Sequence, residues 1–342
     1  MNIKRMGIDL AKQVFQIHGV DSHEHPVLRK KLKREQMLPF FQNLPPCLIG
    51  IEACSSAHYW ARTLQTLGHT VKLIAPQFVK PYVKANKNDA NDAEAICEAL
   101  SRPTMRFVAV KTVAQQDMQA THRVRSQLVS QRTEKVNQIR GLLAEYGLVV
   151  GLRVETLRKA LPALLENTDN ALSGQFCALL SGLREDLQGL DERIKDMDKH
   201  IKQQADSHPD AKRLQQIPGI GPITATALVS SVGNGKQFKR GRDMAAWLGL
   251  TPRQHSSGGK DRLLGISKRG DVYLRTLLIH GARAVFKVAA NKDDPRSRWL
   301  QSLSERRHKN IAVVALANKN ARIVWALLTK QTDYQPVEVA GT

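Results

Sequence analysis

The sequence predicts an α/β domain at the N-terminus, a middle part of long helices and a mainly α C-terminal domain. Short β-like runs alternate with helical stretches over residues 1–110, and long helical repeats follow over 111–208. Glycine and basic residues become more frequent over 209–332, and 333–342 are expected to form a flexible tail. A chain of 342 residues is long enough for more than one domain with its own core.

The N-terminal domain is predicted to contain a sheet. Two adjacent β-like segments suggest a hairpin, and two later apolar runs are typical of buried strands. A segment between these runs has a helical repeat of apolar side chains. The hairpin, the first run, the helix and the second run lie at residues 3–10 with 14–20, 47–53, 57–67 and 71–76. This order indicates an α/β sheet of the ribonuclease-H type.

The middle part is predicted to contain two long helices, at residues 113–146 and 176–204, joined by a less regular link at 147–175. The second helix carries a heptad repeat formed by Leu180, Leu183, Leu187, Leu190, Ile194, Met197 and Ile201. Apolar a and d positions between charged residues favour a coiled coil, within the chain or between two chains. The repeat alone leaves open the alternative of one helix in a compact bundle.

Four acidic residues are placed where a sheet and a helix could bring them together. Asp9 and Glu52 each follow an apolar run, where a carboxylate is costly unless a cation compensates for it. Asp89 and Asp92 are three residues apart and point the same way if their segment is helical. Converging carboxylates would need divalent cations, and Mg²⁺ prefers such oxygen ligands and can assist phosphodiester chemistry. Each acid taken alone is equally well explained as a turn, a cap neighbour or a solvated helix start.

The C-terminal domain is basic and rich in glycine. Between Lys236 and Lys309 there are 18 Lys and Arg residues against 6 Asp and Glu. The segment Ile217–Ile223, Ile-Pro-Gly-Ile-Gly-Pro-Ile, precedes a predicted helix and resembles the turn of a helix-hairpin-helix. In such a turn Gly219 and Gly221 would let the backbone approach a DNA phosphate. An ordinary Gly/Pro turn between two helices is the alternative.

Two adjacent serines, Ser256 and Ser257, lie in this basic region. A serine hydroxyl beside cations can attack a phosphodiester while the cations stabilise the developing charge. Serines in glycine-rich loops are usually linker residues, and the residues alone leave that alternative open. Further helices are predicted at 271–290 and 310–329. The cations expected to contact nucleic acid are Arg253, Lys260, Arg262, Lys268, Arg269 and Arg275.

Composition narrows the class of partner. Lys and Arg outnumber Asp and Glu by 52 to 31, which gives a formal net charge of +21 and favours a polyanion such as nucleic acid. No apolar run approaches the ~20 residues of a spanning helix, and the N-terminal residues lack the apolar core of a secretory signal. The scattered cysteines, Cys47, Cys54, Cys97 and Cys177, indicate neither a zinc site nor a disulfide framework. A cytoplasmic protein without a membrane partner is expected.

Five segments together resemble the DEDD transposases, the recombinases of a large family of bacterial insertion sequences related to Piv-type invertases. They are Gly7–Lys12, Ile51–Ala53, Lys87–Ala93, Ile217–Gly221, and Gly249–Arg253 continuing through Ser257–Gly258 to Ser267–Lys268. The order of the five is far more specific than any one of them. The resemblance implies that the first domain is similar in fold to the RuvC Holliday-junction resolvase.

The resemblance also implies a mechanism and partners. Asp9, Glu52, Asp89 and Asp92 would bind Mg²⁺, and Ser257, directly before the glycine of the motif, would form a covalent phosphoserine link to DNA. Ser256 precedes it in this chain and stays an alternative nucleophile. A structured non-coding bridge RNA would pair with donor and target DNA and supply the sequence specificity. The heptad helix fits a homo-oligomer, a dimer or a tetramer on DNA, in a protein associated with the bacterial nucleoid.

Two other classes of function fit parts of the sequence. A RuvC-like junction-resolving endonuclease would use the carboxylates with water as the nucleophile and would not need the serine. A non-catalytic nucleic-acid-binding protein would explain the charge and the heptad but not the ordered acids. A covalent protein–DNA adduct distinguishes the recombinase from both.

Overall fold

The computed structural model describes residues 3–84, 88–167 and 172–336. It divides into two compact units, Met1–Val113 with Val232–Lys239, and Ala114–Ser231 with Arg240–Thr342. Lys87 of the third motif and residues 337–342 of the expected tail lie outside the described residues. The division into domains at 110 and 208 stays a prediction.

The first unit contains a mixed six-stranded sheet in the order β3-β2-β1-β4-β5-β6. Its strands are β1 (Arg5–Leu10), β2 (Val14–Val20), β3 (Pro26–Lys33), β4 (Leu48–Glu52), β5 (Thr70–Ile74) and β6 (Phe107–Val108). β4 is parallel to β1 and β5, and the other neighbours are antiparallel. The predicted hairpin and both buried strands are confirmed. β3 was not predicted because it is an edge strand, mostly charged and exposed, without the apolar run of a buried strand.

Helices cover both faces of this sheet. They are α1 (Met37–Gln42), α2 (Ala57–Thr66), α3 (Pro76–Val79) and α4 (Asp89–Leu100). Trp60 and Leu64 of α2 are buried with Ile8 and Ile51 of the central strands in one apolar cluster. A second cluster joins Ile96 and other residues of α4 to β5. The predicted helix at 57–67 is therefore confirmed and belongs to the core.

The second unit is mainly helical. It contains α5 (Val113–Ala144), α6 (Val154–Glu166), α7 (Gly174–Ser207), α8 (Pro209–Leu214), α9 (Pro222–Val232), α10 (Gly241–Trp247), α11 (Val272–Ala289), α12 (Pro295–Arg306) and α13 (Lys309–Lys330), with a two-stranded hairpin of β7 (Pro252–Gln254) and β8 (Leu263–Ile266). The long helices predicted in the middle and C-terminal parts are confirmed. The link predicted as less regular contains α6, whose internal Pro162 weakens its helical signal. Packing of its leucines on α7 stabilises this helix.

α5 and α7 form an antiparallel pair within the chain. Three ion pairs join them in antiparallel order: Arg125 with Asp198, Arg132 with Asp191 at 3.4 Å, and Lys135 with Asp186 at 2.9 Å. The heptad residues Leu180, Leu183 and Leu187 are buried in a cluster with residues of α5 and α6. These three heptad residues therefore pack within the chain, in the compact bundle that was the alternative to a coiled coil between chains. Pairing between chains stays a prediction.

α13 is apolar and long enough to span a membrane, although no such segment was expected from the sequence. Among the described residues it is the one helix that meets the length and composition of a span. Half of its apolar window is buried, and it packs against α10, α11 and α12. Asn320 is buried at its centre, with Nδ2 donating to Pro218 O at 3.1 Å. These contacts are those of a core helix, which passes the same test.

Candidate active site: a carboxylate cluster and a serine hairpin

Strand register places Asp9 and Glu52 side by side at one end of the sheet. β1 and β4 are parallel, with Gly7 opposite Gly50. Each acid lies two residues beyond its glycine, so alternation along the strand turns both acids to the face on which the glycines lie. The same face is covered by α4, because a Cβ at Gly50 would lie 3.2 Å from Ile96 Cγ2.

Gly7 sets how closely α4 approaches this face. A Cβ at Gly7 would lie 2.1 Å from the backbone oxygen of Ala93 and 2.5 Å from the amide nitrogen of Cys97, so no other residue fits there. Gly7 belongs to the first of the five predicted motifs, although no separate role was predicted for it. Its role is to seat the middle of α4 on β1, close to Asp9.

The start of α4 supplies the other two acids. Asn88 caps the helix, and its side chain accepts a hydrogen bond from the backbone N–H of Asn91 at 2.8 Å. Asp89 and Asp92 therefore lie in the first turn, where the helix dipole favours negative charge. The prediction that their segment is helical is confirmed. Asn88 is a further positioning residue, recognisable in the sequence as an Asn directly before a D-x-x-D segment.

Three of the four predicted carboxylates form one cluster. Asp9, Asp89 and Asp92 each offer an oxygen atom within 4.8 Å of the others. Glu52 lies outside this group of three, but its charge acts on Asp9. Partial burial, followed by the charges of Asp92, Asp89 and Glu52, raises the pKa of Asp9 to about 6. Like charges held this closely disfavour ionisation of the last carboxyl group.

The donor set fits a hard divalent cation. Oxygen ligands from several carboxylates are typical of Mg²⁺ and Ca²⁺ sites, and no soft or nitrogen ligand belongs to the cluster of three. A cation would relieve the repulsion that raises the pKa of Asp9. Asp9, Asp89 and Asp92 could hold such an ion directly, with Glu52 at its edge.

The second feature is the β7–β8 hairpin, which carries both serines. Its tip is the turn Ser257–Lys260, closed by a hydrogen bond from Lys260 N to Ser257 O at 3.1 Å. Gly258 and Gly259 occupy the centre of the turn with φ of 56° and 77°, a conformation that favours glycine. The glycines of this motif are therefore required by the turn. They leave Ser257 exposed at its start.

The two serine hydroxyls differ in their contacts. Ser256 Oγ accepts hydrogen bonds from Gln254 Nε2 at 2.8 Å and from the backbone N–H of Arg262 at 3.3 Å, so it stabilises the hairpin. Within the described chain, no hydrogen bond is made by Ser257 Oγ. Both serines are exposed, but only the hydroxyl of Ser256 is held by hydrogen bonds within the hairpin.

Five of the predicted nucleic-acid contacts are exposed on or near this hairpin: Arg253, Lys260, Arg262, Lys268 and Arg269. Arg275 is not, and its predicted role needs correction. Its side chain is 7% exposed, and Nη1 donates to the backbone oxygens of Leu248 and Arg269, both at 3.0 Å. Arg275 therefore ties the two ends of the hairpin region together from inside.

The glycine turn before α9 packs closely on another helix. Gly219 has φ of 91°, and a Cβ there would lie 2.8 Å from the backbone oxygen of Gly281 in α11. This glycine is needed for close packing of the turn on α11, and its predicted contact with a DNA phosphate stays a prediction. Gly221 is exposed, with nothing within 4 Å of a Cβ, and its predicted backbone contact with nucleic acid stays a prediction.

Comparison with known proteins gives the family. A family model described as "Transposase IS116/IS110/IS902 family" matches residues 211–298, and the transposase model DEDD_Tnp_IS110 matches residues 6–148. A Pseudomonas aeruginosa protein described as "Probable family 20 transposase" is 58% identical over 337 residues, covering 98% of this chain and 100% of that protein. The chain belongs to the IS116/IS110/IS902 transposase family.

Two further transposases are similar to this chain over nearly their whole length. The transposase for insertion sequence element IS1111A of Coxiella burnetii is 48% identical and covers 98% of this chain and 92% of its own. The transposase for insertion sequence element IS1328 of Yersinia enterocolitica is 42% identical, with coverages of 97% and 99%. A member of this transposase family is an enzyme that cleaves DNA and transfers strands. The match over residues 6–148 contains the carboxylate cluster, and the match over residues 211–298 contains the serine hairpin.

Proposed function

We propose that this insertion-sequence transposase cuts and rejoins DNA through a covalent phosphoserine intermediate on Ser257, assisted by Mg²⁺ at Asp9, Glu52, Asp89 and Asp92. The observation that carries the proposal is the meeting of the Asp9, Asp89 and Asp92 carboxylates within 4.8 Å. The hairpin that leaves Ser257 exposed among cations supports the serine as nucleophile.

The proposed step is a transesterification. Ser257 Oγ attacks a DNA phosphorus, an Oγ–P bond forms, and the bond from phosphorus to a DNA sugar oxygen breaks. The serine proton is lost to solvent or a base, and the departing sugar oxygen takes up a proton. Attack by a DNA hydroxyl on the phosphoserine reverses these changes and frees Ser257, so no oxidant or energy source is needed.

The serine must be activated, and the charge on the phosphate must be stabilised, for this step to occur. An unactivated serine hydroxyl is a weak nucleophile at neutral pH, and no base lies beside Ser257 in sequence. A bound divalent cation would supply Lewis-acid stabilisation of the phosphate and lower the pKa of a hydroxyl. Asp9 must lose its proton before it can bind a cation, while exposed Lys260 and Arg262 offset the phosphate charge.

We also propose the partners that accompany this chemistry. Donor and target DNA bind, a structured bridge RNA guides them by base pairing, and the working complex is a homo-oligomer, a dimer or a tetramer on DNA. A RuvC-like fold of the first unit agrees with its strand order, in which an antiparallel β3-β2-β1 ribbon joins parallel β4 and β5. We place the protein in the bacterial cytoplasm, at the nucleoid.

The test is to trap the covalent intermediate. With wild-type protein, DNA, guide RNA and Mg²⁺, we expect a protein–DNA adduct that survives denaturation, with a phosphoryl-DNA remnant on Ser257 in peptide mapping. Ser257→Ala should bind nucleic acid normally but form no adduct, because the attacking oxygen is absent. Ser256→Ala is the matched control and should keep the adduct.

Other outcomes identify the rival functions. A remnant on Ser256, or on a tyrosine such as Tyr273, would show that a different nucleophile is used. Metal-dependent cleavage without any adduct would favour a junction-resolving nuclease in which water attacks. A third outcome is that the Asp9→Asn variant keeps the protein's full function in the absence of divalent cations. This result would contradict the metal site and favour a non-catalytic nucleic-acid-binding protein.

A further inference from the structure

The second unit contains a groove of about 780 Å³ that is separate from the serine hairpin. Its walls come from the start of α10 and from α12 and α13. We call it the basic–aromatic groove and define it by Arg240, Arg242, Trp299, Lys319, Arg322 and Trp325. None of the residues that line it is acidic. No local sequence pattern indicates this groove, because its residues come from three separate segments.

The helical repeat of α13 forms one wall. Leu316, Asn320 and Val324 lie on the buried face of the helix. Lys319 and Arg322, three residues apart, lie on the other face and are exposed. Helical spacing therefore separates a core stripe from a cationic stripe within one otherwise apolar helix.

Close packing brings the second wall to this stripe. A Cβ at Gly241 would lie 3.1 Å from the backbone oxygen of Arg322 and 3.2 Å from its Cα, so α10 begins in contact with α13. Arg240 and Arg242, on either side of this glycine, are therefore held beside Arg322. Both are exposed.

Charge in the groove is poorly neutralised by the protein. Arg240 has one partly buried partner, Asp243, with Nε 3.8 Å from Oδ2. Among the described residues, no ion pair within 4.0 Å involves Arg242, Lys319 or Arg322. Several like charges around one concavity favour a bound polyanion, because the groove walls concentrate their field.

Two indole rings lie among these cations. Trp299 and Trp325 are half-buried and line the groove. Lys319 Nζ lies 4.7 Å from the centroid of the Trp299 ring, so a cation that could meet a phosphate is held next to an aromatic face. An indole ring can stack on a base only where that base is unpaired, whereas duplex bases are covered by their neighbours.

We propose that the basic–aromatic groove binds single-stranded DNA, with bases stacked on Trp299 and Trp325 and phosphates paired with Arg240, Arg242, Lys319 and Arg322. Alternating stacking platforms and cations are the general means of binding single strands without sequence preference. DNA is the occupant because the chain belongs to a family of transposases, whose substrate is DNA, and strand transfer frees DNA ends. The groove is a further site, because none of its residues belongs to the carboxylate cluster or to the serine hairpin.

The test is equilibrium binding of full-length protein to a labelled single-stranded oligothymidylate, measured by fluorescence anisotropy in EDTA so that no strand is cut. The variant Lys319→Gln/Arg322→Gln should weaken binding about tenfold and lower the slope of log K against log salt by ~0.7 per lost phosphate contact. Lys309→Gln/Lys330→Gln removes two exposed charges from the same helix outside the groove. This matched control should change affinity far less.

Stacking is tested separately. Trp299→Leu keeps an apolar side chain, and a far-UV circular dichroism spectrum equal to wild type shows that it folds. We expect it to weaken single-strand binding roughly tenfold while the salt slope stays unchanged, because a base contact is lost and no phosphate contact. Quenching of tryptophan fluorescence by the oligonucleotide should decrease in the same variant.

Several results would overturn the proposal. One is equal loss of affinity in the groove variant and its control. Another is equal or tighter binding of a duplex of the same length through these residues. Preference for oligouridylate RNA would assign the groove to RNA, and groove-dependent binding of anionic phosphatidylglycerol vesicles in place of DNA would assign it to a membrane surface. Adduct formation on Ser257 is measured independently, so failure here is distinguishable from failure of the proposed chemistry.

Discussion

At the scale of single residues, the Asp9 carboxyl group shows how the carboxylate cluster affects stability. Burial and the nearby acids raise its pKa to about 6 from an ordinary value of 3.8. Between these two pH values the folded protein keeps a proton that the unfolded chain has already lost. Stability of the metal-free protein is therefore lost as the pH rises from about 4 to about 6.

Asp9→Asn should remove this dependence. In EDTA at pH 7.5, we expect a free energy of unfolding higher than wild type by about 1 kcal/mol, a figure reduced for the partial exposure of the group. At pH 4 the two proteins should be nearly equal. Urea denaturation across this range measures the difference, with Glu145→Gln, an exposed acid outside the cluster, as the control. Parallel pH profiles for wild type and Asp9→Asn would contradict the assigned electrostatics.

Asp89 allows activity to be separated from folding. It is exposed in the first turn of α4, so Asp89→Asn should lower the free energy of unfolding by less than about 1 kcal/mol. The same substitution replaces one charged carboxylate ligand by a neutral amide. We expect recombination to be abolished and the thermal midpoint to be nearly unchanged. Glu94→Gln, on the same helix outside the cluster, should keep recombination. Retained activity in Asp89→Asn would exclude this residue from the metal site.

At the scale of elements, the serine hairpin depends on a buried side chain and on glycines. A Cβ at Gly249 would lie 2.1 Å from the backbone oxygen of Arg269, and one at Gly270 would lie 1.8 Å from that of Trp247. The two ends of the hairpin region therefore cross in direct backbone contact. Arg275 then donates to a carbonyl oxygen on each side of this crossing.

Arg275→Ala should destabilise the protein by about 1–3 kcal/mol, because the carbonyl oxygens of Leu248 and Arg269, the first of them buried, lose their charged donor. Arg283→Ala, an exposed arginine on the same helix, should change stability by less than about 0.5 kcal/mol. Thermal unfolding of the two variants measures the contrast. If Arg275→Ala weakened DNA binding with unchanged stability, the original prediction of a nucleic-acid contact would be restored.

At the scale of the whole molecule, the heptad of α7 contains residues buried in the core of their own chain and residues that line a groove. The spacing of the heptad is the same for both kinds. Leu187 is 1% exposed and belongs to the core shared with α5 and α6. Leu190, three residues later, is half-buried and lines a groove of about 940 Å³ on the α5–α7 pair. Only residues of the second kind are available to a partner chain.

Leu190→Glu should therefore shift the protein toward monomer in analytical ultracentrifugation if α7 pairs between chains, because a charge at an a or d position opposes association. Leu187→Glu should instead unfold part of the second unit, since it buries a charge. Leu179→Glu, at an exposed position of the same helix outside the heptad, is the control. An unchanged mass for Leu190→Glu would show that the heptad packs only within its own chain.

Local sequence patterns were sufficient to predict the central strands, the long helices and the order of the four acids. Acids directly after apolar runs, and a D-x-x-D segment at a helix start, are signals carried by neighbouring residues. Strand alternation and helical spacing then place Asp9 and Asp92 on facing surfaces. These elements were predictable because each depends on a few adjacent positions, whereas the meeting of Asp9 with Asp89 and Asp92 depends on the packing of α4 against Gly7.

Where one local pattern is compatible with two roles, only the tertiary structure decided between them. A glycine in a turn gives the same signal whether it packs on a helix, as Gly219 does on Gly281, or approaches a phosphate. An arginine in a basic segment gives the same signal whether exposed like Arg269 or buried like Arg275. The basic–aromatic groove joins residues up to 85 positions apart, from 240 to 325. Burial is set by such distant partners, and no local pattern contains them.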